Sequence, residues 1–199
     1  MATKMKGRGF FLALASLLVL LGCSSDDSDD NGNQQSEYYF RFKVDGSQIS
    51  YDYLPESQIN LTGSILFDSG TGNYVASIVG IENIFETNPL NRVTLFLSDS
   101  ADIVTGVDYT NIVGEGDRTP SSVFLMSYYY EQGNLYSAAL NTGPTALYEL
   151  ASVTFTEITE TKISGTFYGT LLLYDLSGGT VELLNTLVVS EGVFAVPRY

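Results

Sequence analysis

Alternating apolar and polar residues are the dominant feature of the chain from Glu37 onward. In residues 38–44, large apolar residues at the even positions alternate with Tyr39, Arg41 and Lys43. Alternation with a period of two is typical of a β-strand that buries one face, whereas an amphipathic helix repeats every 3.6 residues. No long stretch after residue 37 follows the helical period. The chain is therefore predicted to be all-β.

Turn signals divide this region into about ten short strands. Asp45-Gly46 is a dipeptide typical of a type I′ hairpin turn. Glycine-containing segments at 70–73 and 132–134 separate further runs, and residues 181–196 are predicted to form a final pair of strands. Many short antiparallel strands favour a β-sandwich, with a flattened, lipocalin-like β-barrel as the alternative. Glycines inside the strand patterns indicate bulges or close backbone approach: Gly165, Gly169 and Gly192.

Residues 1–22 have the three parts of an export signal. Three basic residues supply positive charge, residues 10–21 are almost wholly apolar, and Gly22 ends the run. The apolar run is shorter than the roughly 20 residues that cross a bilayer, so a cleaved signal peptide is predicted rather than a permanent membrane span. Residues 37–199 then remain as one all-β domain, because a chain of this length favours a single core.

Cys23 is the only cysteine of the chain, and it directly follows Val19-Leu20-Leu21-Gly22. This stretch resembles the lipobox of bacterial lipoproteins, in which the signal is cut before the cysteine and the cysteine is acylated. The resemblance implies palmitate-type acyl chains on Cys23 and a membrane as partner through those chains. Several chains give durable anchoring, at about 0.8 kcal/mol for each buried methylene. The alternative is an ordinary secretory signal that happens to precede a cysteine.

A run of serine and aspartate follows, consisting of Ser25, Asp26, Asp27, Ser28, Asp29 and Asp30. It resembles the surface-export signal of Bacteroidetes-type lipoproteins, which implies a lipid-anchored protein of the outer membrane that is exposed on the cell surface. The composition of residues 23–36 also predicts a flexible tether, because such polar residues cannot bury enough apolar surface to order the chain.

Four short segments resemble a family of small Bacteroidetes-type surface lipoproteins with a β-sandwich domain of unassigned function. They are Phe42-Lys43-Val44-Asp45-Gly46, Ile103-Val104-Thr105-Gly106, Ile163-Ser164-Gly165-Thr166-Phe167 and Glu191-Gly192-Val193-Phe194-Ala195-Val196. The family usually has a tryptophan or another bulky residue soon after the opening Asp-Gly turn, where this chain has Gln48-Ile49-Ser50-Tyr51. The resemblance covers nearly the whole chain and supplies no catalytic residue.

Charge and composition limit the partners and the catalytic reactions that can be expected of this chain. The formal net charge of −14 at pH 7 makes nucleic acid an unfavourable partner, because phosphate binding requires a basic surface. The absence of histidine excludes Ser-His-Asp and Cys-His catalysis and histidine-based zinc sites. We therefore expect no enzymatic activity, no cofactor and no metal. A catalytic alternative is a carboxylate-dependent glycoside hydrolase or accessory protein, with three candidate acid pairs: Asp99 with Asp102, Glu115 with Asp117, and Glu157 with Glu160.

Two further features bear on ligands and modification. Tyr128 and Tyr130 share a strand face. They form either an aromatic platform for a ligand or part of the core, and the absence of tryptophan favours the core. Asp99-Ser100-Ala101 matches a short O-glycosylation motif of exported proteins from the same bacterial group, so Ser100 is a candidate modification site.

The expected function is the binding of an extracellular glycan or protein partner by a non-catalytic β domain. A structural envelope protein without a small-molecule ligand is the alternative.

Overall fold

The computed structural model describes residues 36–85, 91–111, 122–130, 133–142 and 145–199. These residues form strands, turns and loops without a helix, which confirms the all-β prediction. The strands within them are β1 (Tyr39–Val44), β2 (Ser47–Asp52), β3 (Leu61–Asp68), β4 (Asn73–Ile81), β5 (Arg92–Asp99), β6 (Asp108–Thr110), β7 (Ser122–Tyr130), β8 (Asn134–Ser137), β9 (Ala139–Thr142), β10 (Thr145–Tyr148), β11 (Ala151–Ile158), β12 (Lys162–Asp175) and β13 (Glu182–Pro197).

Eleven of these strands belong to one antiparallel sheet, and β9 and β10 form a separate hairpin. The main path through the sheet is β2-β1-β13-β12-β8-β7-β5-β4-β3, while β11 pairs with β12 and β6 pairs with β11. Because β13 lies between β1 and β12, the first and last strands of the domain are hydrogen-bonded neighbours.

The sheet is curled, and the residues after β13 meet the edge strand β3. Gly63 and Arg198 form an isolated parallel bridge, and the Tyr199 amide donates a hydrogen bond to the Gly63 carbonyl at 2.9 Å. The Arg198 guanidinium donates a further bond to the Ile65 carbonyl at 3.2 Å. The two halves of the sheet consequently face each other across one core. This arrangement is consistent with both the sandwich and the barrel-like form.

The structure confirms the predicted hairpins. Asp45 and Gly46 join β1 to β2, and their φ angles of 47° and 84° are the positive values that a type I′ turn requires. Residues 69–72 join β3 to β4, in agreement with the turn predicted at 70–73, and Gly72 has a φ of 75°. Local turn chemistry therefore sets the register of both hairpins.

The prediction of two strands in residues 181–196 was wrong, since β13 is one strand of 16 residues. The alternation changes phase at Glu191, where the backbone bulges with a φ of 52° and the register with β1 shifts. At Gly192 a Cβ atom would lie only 2.4 Å from the Phe167 carbonyl oxygen. The bulge bends β13 without ending it. The bulge and the close approach confirm the prediction that Gly192 marks such a site.

Aromatic side chains of β1, β12 and β13 occupy the centre of the core. The ring of Phe40 lies 5.3 Å from that of Phe167 and 5.5 Å from that of Phe194. Phe42 packs edge to face against Tyr128, with 5.5 Å between ring centroids. The core cluster and the strand pairs described above all lie between residues 38 and 199, so this part of the chain forms a folded unit without the residues before it.

The predictions for the amino-terminal segment fall outside the described residues. They are the signal peptide at 1–22, the tether up to residue 35, Cys23 and the acidic run at 25–30. Within the part of the chain that the structure describes, no helix has the length and apolar character needed to cross a bilayer.

Candidate ligand-binding site

A surface pocket lies on the outer face of β3 and β4, beside Tyr199. Its volume is about 300 Å³, and its lining residues are Ile59, Thr62, Gly63, Ser64, Ser77 and Tyr199. A volume of this size is at the lower end of the range for small-molecule sites.

The alternation of β3 explains the polar lining of the pocket. Leu61, Gly63 and Ile65 are buried, so Thr62 and Ser64 lie on the opposite face of the strand. Ser77 of β4 pairs directly with Ser64, and directly paired residues share a face of the sheet. Within the described ranges, the hydroxyl groups of these three residues make no hydrogen bond, so all three are available to a ligand.

The ring of Tyr199 is fixed from two sides and remains 61% exposed. Its backbone amide is bonded to Gly63, and its hydroxyl shares a hydrogen bond of 3.0 Å with the hydroxyl of Tyr53. The hydrogen bond with Tyr199, together with partial burial, raises the pKa of Tyr53 to about 12. The Tyr53 hydroxyl is therefore neutral at physiological pH, and its hydrogen bond holds the aromatic face of Tyr199 beside the pocket.

A buried asparagine positions the loop that carries Ile59. The side-chain amide of Asn60 donates to the carbonyls of Asp52 at 2.9 Å and Ile81 at 3.2 Å. Its side-chain oxygen accepts a hydrogen bond from the Leu54 amide at 3.2 Å. These bonds join the loop to the ends of β2 and β4, so the 53% exposed Ile59 side chain contributes an aliphatic wall to the pocket.

The pocket therefore combines an aromatic face, an aliphatic wall and three hydroxyl groups. This set suits a neutral ligand that has both an apolar face and several hydrogen-bonding groups. None of the lining side chains is acidic, so these side chains supply no acid–base pair of the kind that a glycoside hydrolase uses.

The structure places the two candidate ligand aromatics in or against the core. Tyr128 is fully buried, and its hydroxyl donates to the side-chain oxygen of Asn91 at 3.0 Å. Tyr130 is partly buried and stacks on Tyr128 at a centroid distance of 5.5 Å. The ring of Tyr128 therefore packs in the core and is not a surface platform for a ligand. This is the core-packing interpretation of the sequence.

Ser100 lies in an exposed bend directly after β5. The neighbouring Asp99 is buried, and its carboxylate accepts a hydrogen bond from the Ala101 amide at 2.9 Å. This bond closes the bend and leaves the Ser100 side chain on the surface.

The candidate acids that the structure describes are not among the residues that line the pocket. Asp102 is exposed, and Glu157 forms an ion pair of 2.7 Å with Lys162, while Glu160 is exposed. Glu115 and Asp117 lie outside the described residues. Among the residues that the structure describes, no group of three or more acidic, histidine or cysteine side chains could hold a metal ion.

The pocket is not predicted by any pattern in the sequence, because its residues are scattered from Ile59 to Tyr199. The available signal was weak: hydroxyl residues at the outward positions 62, 64 and 77 of two paired strands. Comparison of the chain with protein-family models, curated proteins and solved structures finds no match. The fold and the site define an all-β domain with an aromatic surface pocket.

Proposed function

We propose that this protein is a lipid-anchored lipoprotein of the outer membrane, exposed on the cell surface, whose β domain binds a sugar unit of an extracellular glycan beside Tyr199. The observation that carries the binding proposal is the fixed and exposed Tyr199 ring next to the hydroxyls of Thr62, Ser64 and Ser77, which have no hydrogen-bond partner among the described residues. A sugar ring has an apolar face of C–H groups and a polar rim. An aromatic face with hydroxyl groups beside it matches both.

The amino-terminal sequence supports the proposed location. Cys23 follows a signal-like apolar run and a small residue, and the polar residues after it can act as a spacer. The chain enters the sheet at Tyr39, and the adjacent Tyr38 ring packs edge to face against Tyr53 at 5.2 Å. Tyr53 in turn shares a hydrogen bond with Tyr199 of the pocket.

The test is glycan-array screening followed by calorimetry on the chain from Ser24 onward, which contains the whole folded unit. Tyr199→Ala removes the aromatic face, and Tyr168→Ala is the matched control, because Tyr168 is also exposed, at 45%, and is not a lining residue of the pocket. We expect the unchanged chain and the control to bind the same saccharides, with affinity at least about tenfold lower for Tyr199→Ala.

Three other results would contradict the proposal. Equal affinity in both variants would show that the pocket is not the site. The absence of saccharide binding would favour the structural envelope protein, and release of a cleaved product would favour the hydrolase.

A further inference from the structure

The hairpin of β12 and β13 extends beyond the rest of the sheet. The last partner of β1 on β13 is Val189, and the contact of β8 with β12 is at Leu172. Past these points, among the strands that the structure describes, the two pair only with each other, up to the pair of Asp175 and Glu182. Residues 182–186 of β13 are all exposed, so this end of the hairpin contributes little to the core.

Four aliphatic side chains at this end are open to solvent. Leu176 and Leu184 are each 55% exposed, Leu183 is 52% exposed, and Val181 is 38% exposed. Tyr174 pairs with Leu183 and Leu173 pairs with Asn185, so the register shift leaves Leu184 as an extra residue of β13 between these two pairs. Several neighbouring aliphatic side chains on a projecting element are typical of an interaction surface, whereas single exposed ones are ordinary.

The same part of β13 has an open backbone edge. The Asp45 amide donates to the Val188 carbonyl at 2.9 Å, and the Val188 amide donates to the Asp45 side chain at 2.8 Å, which ends the contact with the β1–β2 hairpin. Between Val188 and the turn, no described strand lies along this edge. Its six residues span about 20 Å, enough for an added strand of similar length.

The negative charge at the end of the hairpin determines which kind of strand can pair with its open edge. Asp175 and Glu182 are directly opposite each other, and like charges in this position destabilise a hairpin. Neither belongs to the ion pairs found among the described residues, which are Lys43–Glu191 and Lys162–Glu157. The sequence between Lys162 and Arg198 contains no basic residue that could compensate them.

We propose that the β12–β13 hairpin end is a docking surface for an extended segment of a partner protein that carries aliphatic and basic side chains. The segment pairs with the open edge of β13, covers Leu183 and Leu184, and places a cation beside Asp175 and Glu182. A second copy of this chain is a poor occupant, because pairing two hairpin ends brings four carboxylates together. Anionic lipid headgroups are repelled by the same charges.

The test uses a blocked hexapeptide in which lysine and valine alternate, titrated into the chain from Ser24 onward and followed by amide chemical shifts. We expect saturable binding with shift changes concentrated at residues 182–187. The double variant Leu183→Ser, Leu184→Ser keeps every charge and should weaken binding at least about tenfold. Leu66→Ser, at an exposed leucine of β3, is the matched control and should leave the affinity unchanged.

Glu182→Gln should weaken binding and reduce its dependence on salt, since it removes one of the two facing charges. Equal binding of a peptide with glutamate in place of lysine would overturn the proposal, as would the absence of binding. It would also be overturned if the hairpin instead formed a concentration-dependent dimer of this chain or bound phosphatidylcholine vesicles. Thermal unfolding of each variant confirms that the domain is still folded.

Discussion

The hydroxyl oxygens of Tyr53 and Tyr199 lie 3.0 Å apart and share a hydrogen bond between residues 146 positions apart in the chain. This bond joins the loop after β2 to the residue that follows the bridge between Arg198 and Gly63. The orientation of the Tyr199 ring, and with it the shape of the pocket, depends on these two attachments.

Replacing Tyr53 with phenylalanine removes the hydroxyl bond and keeps the ring. We expect the affinity for a pocket ligand to fall by roughly three- to tenfold, while the free energy of unfolding changes by less than about 1 kcal/mol, because the bond is solvent-accessible. Calorimetry and urea unfolding measure the two quantities. Tyr39→Phe is the control, and an equal loss of affinity there would contradict a specific role for Tyr53.

Stability should decline at alkaline pH. Burial raises the pKa of Tyr128 to about 12, the hydrogen bond with Tyr199 raises the pKa of Tyr53 to about 12, and burial also raises the pKa of Tyr51. Tyrosine in an unfolded chain ionises near pH 10, so the folded state holds these protons more tightly. Their contribution is complete below about pH 10 and is lost as the pH rises towards 12.

Urea unfolding from pH 8 to 12, with tyrosinate absorbance recorded in parallel, measures this decline. We expect a smaller pH dependence in Tyr128→Phe, since that variant lacks one of the titrating groups. Stability that stays constant between pH 10 and 12 in the unchanged chain would contradict the prediction.

Gly165→Ala should destabilise the domain by about 2 kcal/mol or more, the usual effect of overpacking a core. A Cβ atom there would lie 2.5 Å from the Thr154 carbonyl oxygen and 2.7 Å from the Phe194 ring, and the backbone oxygen cannot move without disturbing the ladder of β11 and β12. Gly178→Ala is the matched control, because its nearest contact would be 3.9 Å away. Denaturant unfolding compares the two variants, and similar stabilities would show that β12 can shift to accommodate a methyl group.

Cys23→Ser should abolish incorporation of a tagged palmitate and release the protein from the membrane fraction, because the chain has no other cysteine. Labelled cells and fractionation provide the measurement, with Ser24→Ala as the control that retains the thiol. Labelling that survives in Cys23→Ser would refute the anchor.

Ser100→Ala should remove any excess intact mass that glycosylation adds to the native protein. Ser100 is exposed beside Asp99, and Ser177, which is exposed in the β12–β13 turn without a preceding aspartate, supplies the control variant Ser177→Ala. Mass spectrometry of native material decides the question, and a mass that equals the unmodified sequence would eliminate the site.

Much of the strand content could be predicted from the sequence, because a half-buried strand depends on local alternation. Residues 38–44 and the Asp45-Gly46 turn identify the first hairpin without reference to the rest of the chain. The short strands β6 and β10 were missed, since three or four residues carry too little periodicity. Residues 181–196 form one strand where two are predicted, because alternation alone does not distinguish a bulge, such as that at Glu191, from a turn.

The sequence by itself determined that the chain forms antiparallel strands with buried aromatic faces. Only the tertiary structure decided which strands are neighbours, that Tyr128 points into the core, and that Tyr199 meets Ser64 and Ser77 at one pocket. Every strand presents the same backbone hydrogen-bonding groups along its edges, so it could pair with many other strands. The choice depends on the packing of all side chains at once, which no local pattern records.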